Sequence, residues 1–222
     1  MTANGILLDL DLRDYAEVLA LQRKLIELRA KKAIPDTLIL VEHPHVFTVG
    51  KAVLGEVPTQ IEGVPVFRIE RGGRWTYHGL GQLVGYPILD LDARQRDIRS
   101  FLRNIEEALI LAIEKFGIRA ERHVGQTGVW VQSRKIASIG AAIRNWISFH
   151  GFALNVNTDM SYFEMIEPCG LPSSTMTSMK SLLGKEMDLE AVKAEVRRMF
   201  EKVFELQLTE ASPTSLEATA IS

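Results

Sequence analysis

The sequence has little of what marks secreted, membrane and nucleic-acid-binding proteins. It contains one cysteine in 222 residues, so no intrachain disulfide can form and a reducing, cytoplasmic location is expected. No apolar run approaches the ~20 residues of a membrane-spanning helix, and the N-terminus lacks the pattern of a secretion signal. The net charge of −2 leaves no basic footprint for nucleic acid. We therefore expect neither a nucleic-acid partner nor a membrane partner.

The common nucleotide and metal motifs are also missing. Gly79 and Gly81 are followed by Gly85, one residue too late for G-x-G-x-x-G, and no Gly-Lys-Ser/Thr follows to make a P-loop. His43 and His45 flank a proline, but the chain offers few other His or Cys ligands for zinc. We therefore expect no metal and no cofactor.

What the chain does have is a glycine-rich segment at residues 71–87. It holds five of the 16 glycines together with Arg, Thr, Tyr, His and Gln side chains. Glycine lets the backbone come close to a ligand, although many glycine-rich segments are plain turns. An apolar run follows at residues 83–91. We interpret the segment as a loop that forms a pocket wall and leads into a buried strand.

The remaining periodicity predicts an α/β or α+β fold with one main mixed β-sheet flanked by helices. Helices are predicted over residues 14–31 and 97–116 and from Asp188 onward. Strands are predicted over residues 6–10, 37–41, 46–49, 64–69, 83–91, 128–131, 136–139 and 149–156. Residues 1–222 are interpreted as a single catalytic domain, with the alternative of a small C-terminal lobe from Asp188. Residues 209–222 are predicted to be a mobile tail.

Cys169 is a candidate nucleophile. Prolines and a glycine flank it, which places it in a constrained loop. A lone cysteine is more often a small buried hydrophobe than a reactive thiol. To react it must be a thiolate, and that requires a nearby cation or base.

Lys135 is the best partner for that thiol. It lies at the turn of a predicted hairpin, where a lysine is usually solvated. The small residues that follow, Ala137, Ser138 and Gly140, leave room for a ligand against the strand. A lysine held there would stabilise a thiolate and transfer its proton. His78 and His150 are alternative bases, although isolated histidines are more often structural.

Several motifs together resemble the lipoyl(octanoyl) transferases. They are Glu42-His43-Pro44, Thr48-Val49-Gly50, Arg71-Gly72-Gly73-x-x-Thr76-Tyr77-His78-Gly79-x-Gly81-Gln82, Lys135-Ile136-Ala137-Ser138-Ile139-Gly140, His150-Gly151-Phe152-Ala153-Leu154-Asn155-Val156 and Pro168-Cys169-Gly170. The similarity runs from about residue 5 to residue 205 in the family's order. The chain departs from the family at Leu80, where many members have proline, and at residues 132–134, where a glycine is common.

The resemblance implies a lipoate–biotin protein ligase-like fold and a defined reaction. An octanoyl group passes from octanoyl-acyl carrier protein to a lysine of lipoyl domains, in E2 subunits and the glycine-cleavage H protein, as the first step of lipoate biosynthesis. By that match Cys169 carries the acyl thioester and Lys135 activates it, with His150 and Gln82 as supporting residues. The substrate-binding residues it implies are Arg71, Gly72, Gly73, Arg74, Trp75, Thr76, Tyr77, His78, Ser138, Ile139, Gly140, Gly151, Phe152 and Ala153.

The chemistry of that reaction agrees with what the sequence lacks. A thioester donor is already activated, so no ATP is needed, and the transfer divides into two easier steps. The octanoyl chain needs an apolar tunnel, in which each buried methylene contributes about 0.8 kcal/mol. We also expect backbone N–H groups near Cys169 and Gly170 to hold the oxyanion, a contribution of about 3 kcal/mol.

Two alternatives stay open at this point. An ATP-dependent lipoate- or biotin-protein ligase would share the fold, but it needs no cysteine nucleophile, so Cys169 favours the transferase. A carrier-protein binding module without activity should have lost Cys169 or Lys135, and both are present.

Overall fold

The computed structural model describes residues 2–94, 96–214 and 216, which form two β-sheets and four α-helices. The eight-stranded sheet has the order β12-β1-β2-β7-β11-β10-β9-β8, and the four-stranded sheet has the order β4-β5-β3-β6. The strands are β1 (Ala3–Leu12), β2 (Asp36–Glu42), β3 (Val46–Val49), β4 (Gln60–Ile61), β5 (Val64–Arg68), β6 (Trp75–His78), β7 (Gln82–Ile88), β8 (Glu121–His123), β9 (Gln126–Val131), β10 (Arg134–Arg144), β11 (Ile147–Asn155) and β12 (Leu206–Glu210). The helices are α1 (Tyr15–Ala30), α2 (Ile98–Glu114), α3 (Met179–Leu183) and α4 (Leu189–Phe204).

The large sheet lies between helices on both faces, which explains why its central strands are apolar throughout. Along β2, Leu38 and Leu40 join the core formed with α2 and α4, whereas Ile39 and Val41 join the core formed with α1. Side chains alternate between the faces of a strand, so a strand covered on both faces has a continuous apolar run. The predicted fold class is confirmed.

The three longer helices begin at the aspartates that the sequence marks. Asp14, Asp97 and Asp188 each accept hydrogen bonds from backbone N–H groups of the first helical turn. Those groups have no partner inside a helix, and a side-chain cap is worth about 1 kcal/mol. These helix starts were therefore readable from local residues alone.

The expectation of one main sheet is incomplete, because a second sheet stands beside it. Residues 46–49 do not continue the large sheet; as β3 they pair in parallel with β5 and antiparallel with β6. Part of the segment predicted as a loop is a strand, since Trp75–His78 forms β6. The glycines on either side of these four residues indicate a loop, but pairing with β3 stabilises a strand between them.

The predicted mobile tail, residues 209–222, begins inside a strand. Thr209 and Glu210 belong to β12, which pairs in parallel with β1, and Leu216 is buried in the core beside α1. The remainder of the predicted tail includes residues 215 and 217–222, which lie outside the described residues. Among the described helices, none has the length and apolar character needed to cross a bilayer.

Candidate active site

Cys169 and Lys135 come together from separate parts of the fold. Lys135 lies near the start of β10, and its Nζ is 3.5 Å from the Sγ of Cys169. The loop that carries Cys169 is held by backbone hydrogen bonds on both sides, from the N–H of Cys169 to Trp75 and from the N–H of Thr177 to Lys135. Cys169 itself has φ of 58°, a conformation that few non-glycine residues adopt and that is common at functional sites.

Lys135 is buried rather than solvated, which overturns the commoner expectation for a hairpin lysine. Its exposure is 4%, and it forms no ion pair with any described carboxylate within 4.0 Å. The ammonium has the ring of Trp130 at 5.6 Å and the thiol of Cys169 as its neighbours. A buried cation without a carboxylate is costly, and a thiolate at Cys169 would provide the missing negative charge.

Gly128 makes room for the lysine side chain. A Cβ at this position would lie 2.4 Å from the Cε of Lys135 and 2.6 Å from the carbonyl oxygen of Ala137. Its φ of 136° is also one that L side chains rarely adopt. The backbone N–H of Gly128 is fixed by the buried carboxylate of Glu106 on α2. Strand β9 therefore leaves the space through which the side chain of Lys135 extends to Cys169.

A cavity opens beside Cys169. It runs between β6, β10, β11, β7 and the start of α1, and most of its lining was predicted from the sequence. The predicted residues that line it are Arg71, Gly72, Gly73, Thr76, His78, Ser138, Ile139, Gly140, His150, Gly151, Phe152, Ala153 and Cys169. The hydroxyl of Ser138 is 3.8 Å from the thiol of Cys169.

Three residues predicted to bind substrate lie elsewhere. Arg74 and Trp75 border a separate cleft, and Tyr77 is fully buried among the side chains of Phe47 and Phe163. The reason is the alternation of β6, which directs Thr76 and His78 into the cavity and their neighbours to the opposite face. Sequence reasoning took the segment for a loop and had no such alternation to apply.

Three lining residues were missed: Tyr15, Ile69 and Tyr86. Tyr15 is the first residue of α1, and Tyr86 lies in β7 on the face turned toward α1. The polar tip of a tyrosine inside an apolar strand was the only local signal for Tyr86. Burial raises the pKa of both phenols, so they are neutral hydrogen-bonding groups in the cavity.

Arg71 is a second buried cation of the site, and it lies in the cavity wall. Its guanidinium donates to the carbonyl and hydroxyl oxygens of Thr48 and to the carbonyl of Gly72. It forms no ion pair with any of the residues that the structure describes. Burial lowers the pKa of Arg71, and the charge of Cys169 opposes that change. Arg71 therefore adds positive potential to the side of the cavity where Cys169 lies.

The histidines around the cavity are neutral near pH 7. Burial lowers the pKa of His43 to about 4, that of His78 to about 3 and that of His150 to about 4. His43 donates from Nδ1 to the carbonyl of Arg13 and accepts at Nε2 from the hydroxyl of Tyr86. The cavity is therefore polar in places but carries no histidine charge.

Gln82 links His78 to the loop that follows Cys169. Its Oε1 accepts from Nδ1 of His78, and its Nε2 donates to Oδ1 of Asn155 and to the carbonyl of Tyr77. Asn155 in turn donates to the carbonyl of Thr177, and the N–H of Thr177 donates to the carbonyl of Lys135. Gln82 does not line the cavity; it connects His78 through this chain to the backbone of Lys135.

The backbone amides of Cys169 and Gly170 have acceptors within the protein. The N–H of Cys169 donates to Trp75, and that of Gly170 donates to Glu167 at 3.1 Å. The amides of Gly170 and Leu171 close the tight turn at residues 167–171, and the amide of Cys169 fixes that turn to β6. The expectation that backbone N–H groups near Cys169 and Gly170 hold the oxyanion stays a prediction, and these two amides would have to give up their present acceptors to serve.

Comparison with known proteins identifies the family to which the chain belongs. Residues 14–201 match the family described as Lipoyl protein ligase A/B catalytic domain. The chain is 44% identical over 209 residues to an octanoyltransferase of Syntrophotalea carbinolica, covering 94% of this chain and 98% of that protein. It is 46% identical over 200 residues to one of Rubrobacter xylanophilus, covering 86% of this chain and 90% of that protein. The chain belongs to the octanoyltransferase family.

Solved structures with the same fold extend beyond the octanoyltransferases. The bipartite lipoate protein ligase of Thermoplasma acidophilum, described with its E2 lipoyl domain, has a TM-score of 0.71 at 17% identity, covering 99% of this chain and 91% of that chain. The biotin protein ligase of Aquifex aeolicus, solved with biotin and ATP, has a TM-score of 0.56 at 14% identity, covering 91% and 70%. At these identities the likeness establishes the fold. The sequence relatives, and not the fold, place the chain with the transferases and not with the ligases.

Proposed function

We propose that this octanoyltransferase takes its acyl group from octanoyl-acyl carrier protein and delivers it to a lysine of lipoyl domains through a thioester on Cys169. The observation that carries the proposal is the 3.5 Å contact between Nζ of Lys135 and Sγ of Cys169 at the edge of a cavity suited to an acyl chain. An ammonium next to a thiol favours the thiolate, which is the nucleophilic form.

In the first step, the thiolate of Cys169 attacks the carbonyl carbon of the incoming thioester. The carbon–sulfur bond to the donor breaks, and the leaving thiolate takes a proton from the ammonium of Lys135. Cys169 then carries the octanoyl thioester. No phosphate is consumed, because the donor already holds the acyl group in an activated bond.

In the second step, the amine of the acceptor lysine attacks the same carbonyl carbon. An amide bond forms, the bond to Sγ of Cys169 breaks, and Lys135 removes the proton that the attacking nitrogen loses. Lys135 is thus reprotonated and Cys169 is again a thiolate. Lys135 therefore acts as the acid in the first step and as the base in the second, and the two steps together restore the starting protonation of Lys135 and Cys169.

The acyl chain has a suitable place in the cavity beside Cys169. Ile69, Phe152 and Ala153 supply apolar surface, and the glycines at positions 72, 73, 140 and 151 leave space between the strands. Burial of each methylene contributes about 0.8 kcal/mol. The neutral state of the buried histidines avoids placing a charge against the hydrocarbon.

Intact-mass analysis tests the proposal. After mixing with octanoyl-acyl carrier protein, the protein should gain one octanoyl group, which a lipoyl domain should then remove as its own mass increases. Cys169→Ala should gain none. An octanoyl adduct that persists in Cys169→Ala, or octanoylation of a lipoyl domain that requires free octanoate and ATP, would contradict the proposal.

A further inference from the structure

Glu106 is a charged residue among the apolar residues that α2 buries. It is 1% exposed, and the other buried residues of the helix are Phe101, Ile105, Ala108, Leu109, Ala112 and Ile113. Burial of a carboxylate is costly unless donors surround it, and apolar side chains in place of a buried ion pair often leave a protein as stable or more so. The packing of α2 therefore does not by itself explain a glutamate at this position.

Donors from α2, β8 and β9 meet at the carboxylate of Glu106. Its Oε2 accepts from Nη1 of Arg103 at 2.7 Å and from Nε of Arg122 at 3.1 Å. The side chains of the two arginines are 46% and 34% exposed, so both reach solvent. The other oxygen, Oε1, accepts from the backbone N–H of Gly128 at 3.0 Å in a buried hydrogen bond. The arginines thus compensate the charge, and the second oxygen holds a backbone amide of β9.

Gly128 is the residue at which β9 enters the core, and the regular strand pairing is interrupted there. The two residues of β9 before it are exposed, whereas Gly128 is buried. The registered pairs of β9 with β10 end at Val129 and Ala137, and those with β8 shift their register over the same stretch. A buried backbone amide needs a hydrogen-bond acceptor, and Glu106 supplies it where the strand ladder is irregular.

The backbone of Gly128 forms one wall around the ammonium of Lys135. A Cβ at Gly128 would lie 2.4 Å from Cε and 3.1 Å from Nζ of Lys135. The ring of Trp130 is 5.6 Å from Nζ, and Sγ of Cys169 is 3.5 Å from it. Lys135 also borders an open depression lined by the exposed start of β9. Because a lysine stem is flexible, the ammonium would move into that depression and become solvated if the wall at Gly128 moved outward.

We propose that Glu106 is a positioning residue for octanoyl transfer, which holds Gly128 and thereby keeps the ammonium of Lys135 against the thiol of Cys169. Glu106 acts through the wall of the site and is not itself a reacting group. The inference rests on the proposed function, because it takes Lys135 as the group that supports the thiolate and moves the proton. The contacts of Glu106 with Arg122 and Gly128 fix α2 to β8 and β9, so they connect the packing of α2 to the geometry of the reaction centre.

The pH dependence of Cys169 alkylation by iodoacetamide tests this role, because it reports the thiolate without requiring an acyl donor or acceptor. Glu106→Leu should move the midpoint of the pH profile upward and lower the rate near pH 7 about tenfold, since fewer thiols are ionised. Glu106→Gln, whose side-chain carbonyl can still accept from Gly128, should lose less. In the Lys135→Met background, Glu106→Leu should cause no further loss, because the effects of residues that act through one group are not additive.

The matched control is Lys193→Met, which removes the centre of another buried ion cluster. Lys193 is 5% exposed and pairs with Asp9 and Glu190, each at 2.9 Å. Urea unfolding measures the stability of each variant, and the alkylation profile should shift in Glu106→Leu and not in Lys193→Met. An equal shift in Lys193→Met would overturn the proposal, and so would the same relative loss from Glu106→Leu with and without the ammonium of Lys135.

Arg122→Met is a milder variant for the case that Glu106→Leu does not fold. It leaves the carboxylate of Glu106 in place and removes one of its two guanidinium partners, so it should shift the profile in the same direction by a smaller amount. An unshifted profile in every folded variant of Glu106 and Arg122 would refute the role of Glu106 alone, provided that Lys135→Met slows alkylation. If Lys135→Met leaves the alkylation rate unchanged, the lysine's part in the proposed function fails as well.

Discussion

Lys135 Nζ lies 3.5 Å from Cys169 Sγ, although the two residues are separated by 34 positions in the chain. Lys135 is 4% exposed and makes no ion pair with a described carboxylate, so the thiol is the group best placed to balance its charge. Arg71 is a second buried cation, and it lines the cavity that Cys169 borders. The site is therefore electrostatically prepared for an anion at Cys169.

Removing the ammonium of Lys135 should impair both the reactivity of the Cys169 thiol and the transfer of the octanoyl group. Lys135→Met keeps most of the side-chain volume and loses the charge. We expect alkylation of Cys169 by iodoacetamide near pH 7 to slow clearly and octanoyl transfer to fall by about 10² or more, the usual effect of losing a general acid–base group. Arg134→Met, at the exposed neighbouring position, is the control. Equal alkylation rates in the two variants would refute the role of Lys135.

Gly128 should be required for the position of the lysine. Gly128→Ala places a methyl group against Cε of Lys135 and the carbonyl of Ala137, so the lysine must move away from the thiol. We expect a loss of octanoyl transfer greater than the loss of stability explains. Gly117→Ala, with φ of 80° and open space around it, measures the backbone strain alone. If both variants retain activity equally, the close approach at Gly128 has no role in the reaction.

The volume of the acyl cavity should set the preferred chain length. Ala153→Val adds two methyl groups to the lining, and Gly140→Val drives a side chain toward Cδ of Arg71, 3.1 Å from the position of a Cβ. Both variants should favour hexanoyl over octanoyl donors in rates of Cys169 acylation, whereas Ala33→Val should not. An unaltered order of hexanoyl, octanoyl and decanoyl rates would place the acyl chain elsewhere.

Acid should destabilise the protein through its buried histidines. Burial lowers the pKa of His43 and His150 from 6.5 to about 4. Between these two pH values the unfolded chain binds protons that the native imidazoles do not bind. The free energy of unfolding that these histidines contribute is therefore fully present above about pH 6.5 and is lost as the pH falls toward about 4. Each histidine accounts for about 3 kcal/mol of this change in the free energy of unfolding.

Urea unfolding at several pH values measures this dependence. The free energy of unfolding should fall from pH 6.5 to pH 4.5 in the unmodified protein and should fall less steeply in His150→Gln. A variant with the same slope as the unmodified protein would show that His150 does not contribute to it.

Local residues determined much of the fold and the chemistry in advance. Asp14, Asp97 and Asp188 marked helix starts because a cap acts within one turn. The apolar runs marked the strands of the large sheet. The motifs around Cys169 and Lys135 pointed to the transferase family, because the residues proposed as nucleophile and cationic partner are recognisable by residue type and immediate neighbours.

Only the tertiary structure decided which of the predicted residues meet. Strand β6 exists because β3 pairs with it, and that pairing turns Thr76 toward the cavity and Tyr77 away from it. Tyr15 and Tyr86 reach the cavity through the packing of α1 on the sheet. The burial of Lys135 depends on a glycine in the neighbouring strand. These are contacts between distant segments, and spacing along one segment carries no information about them.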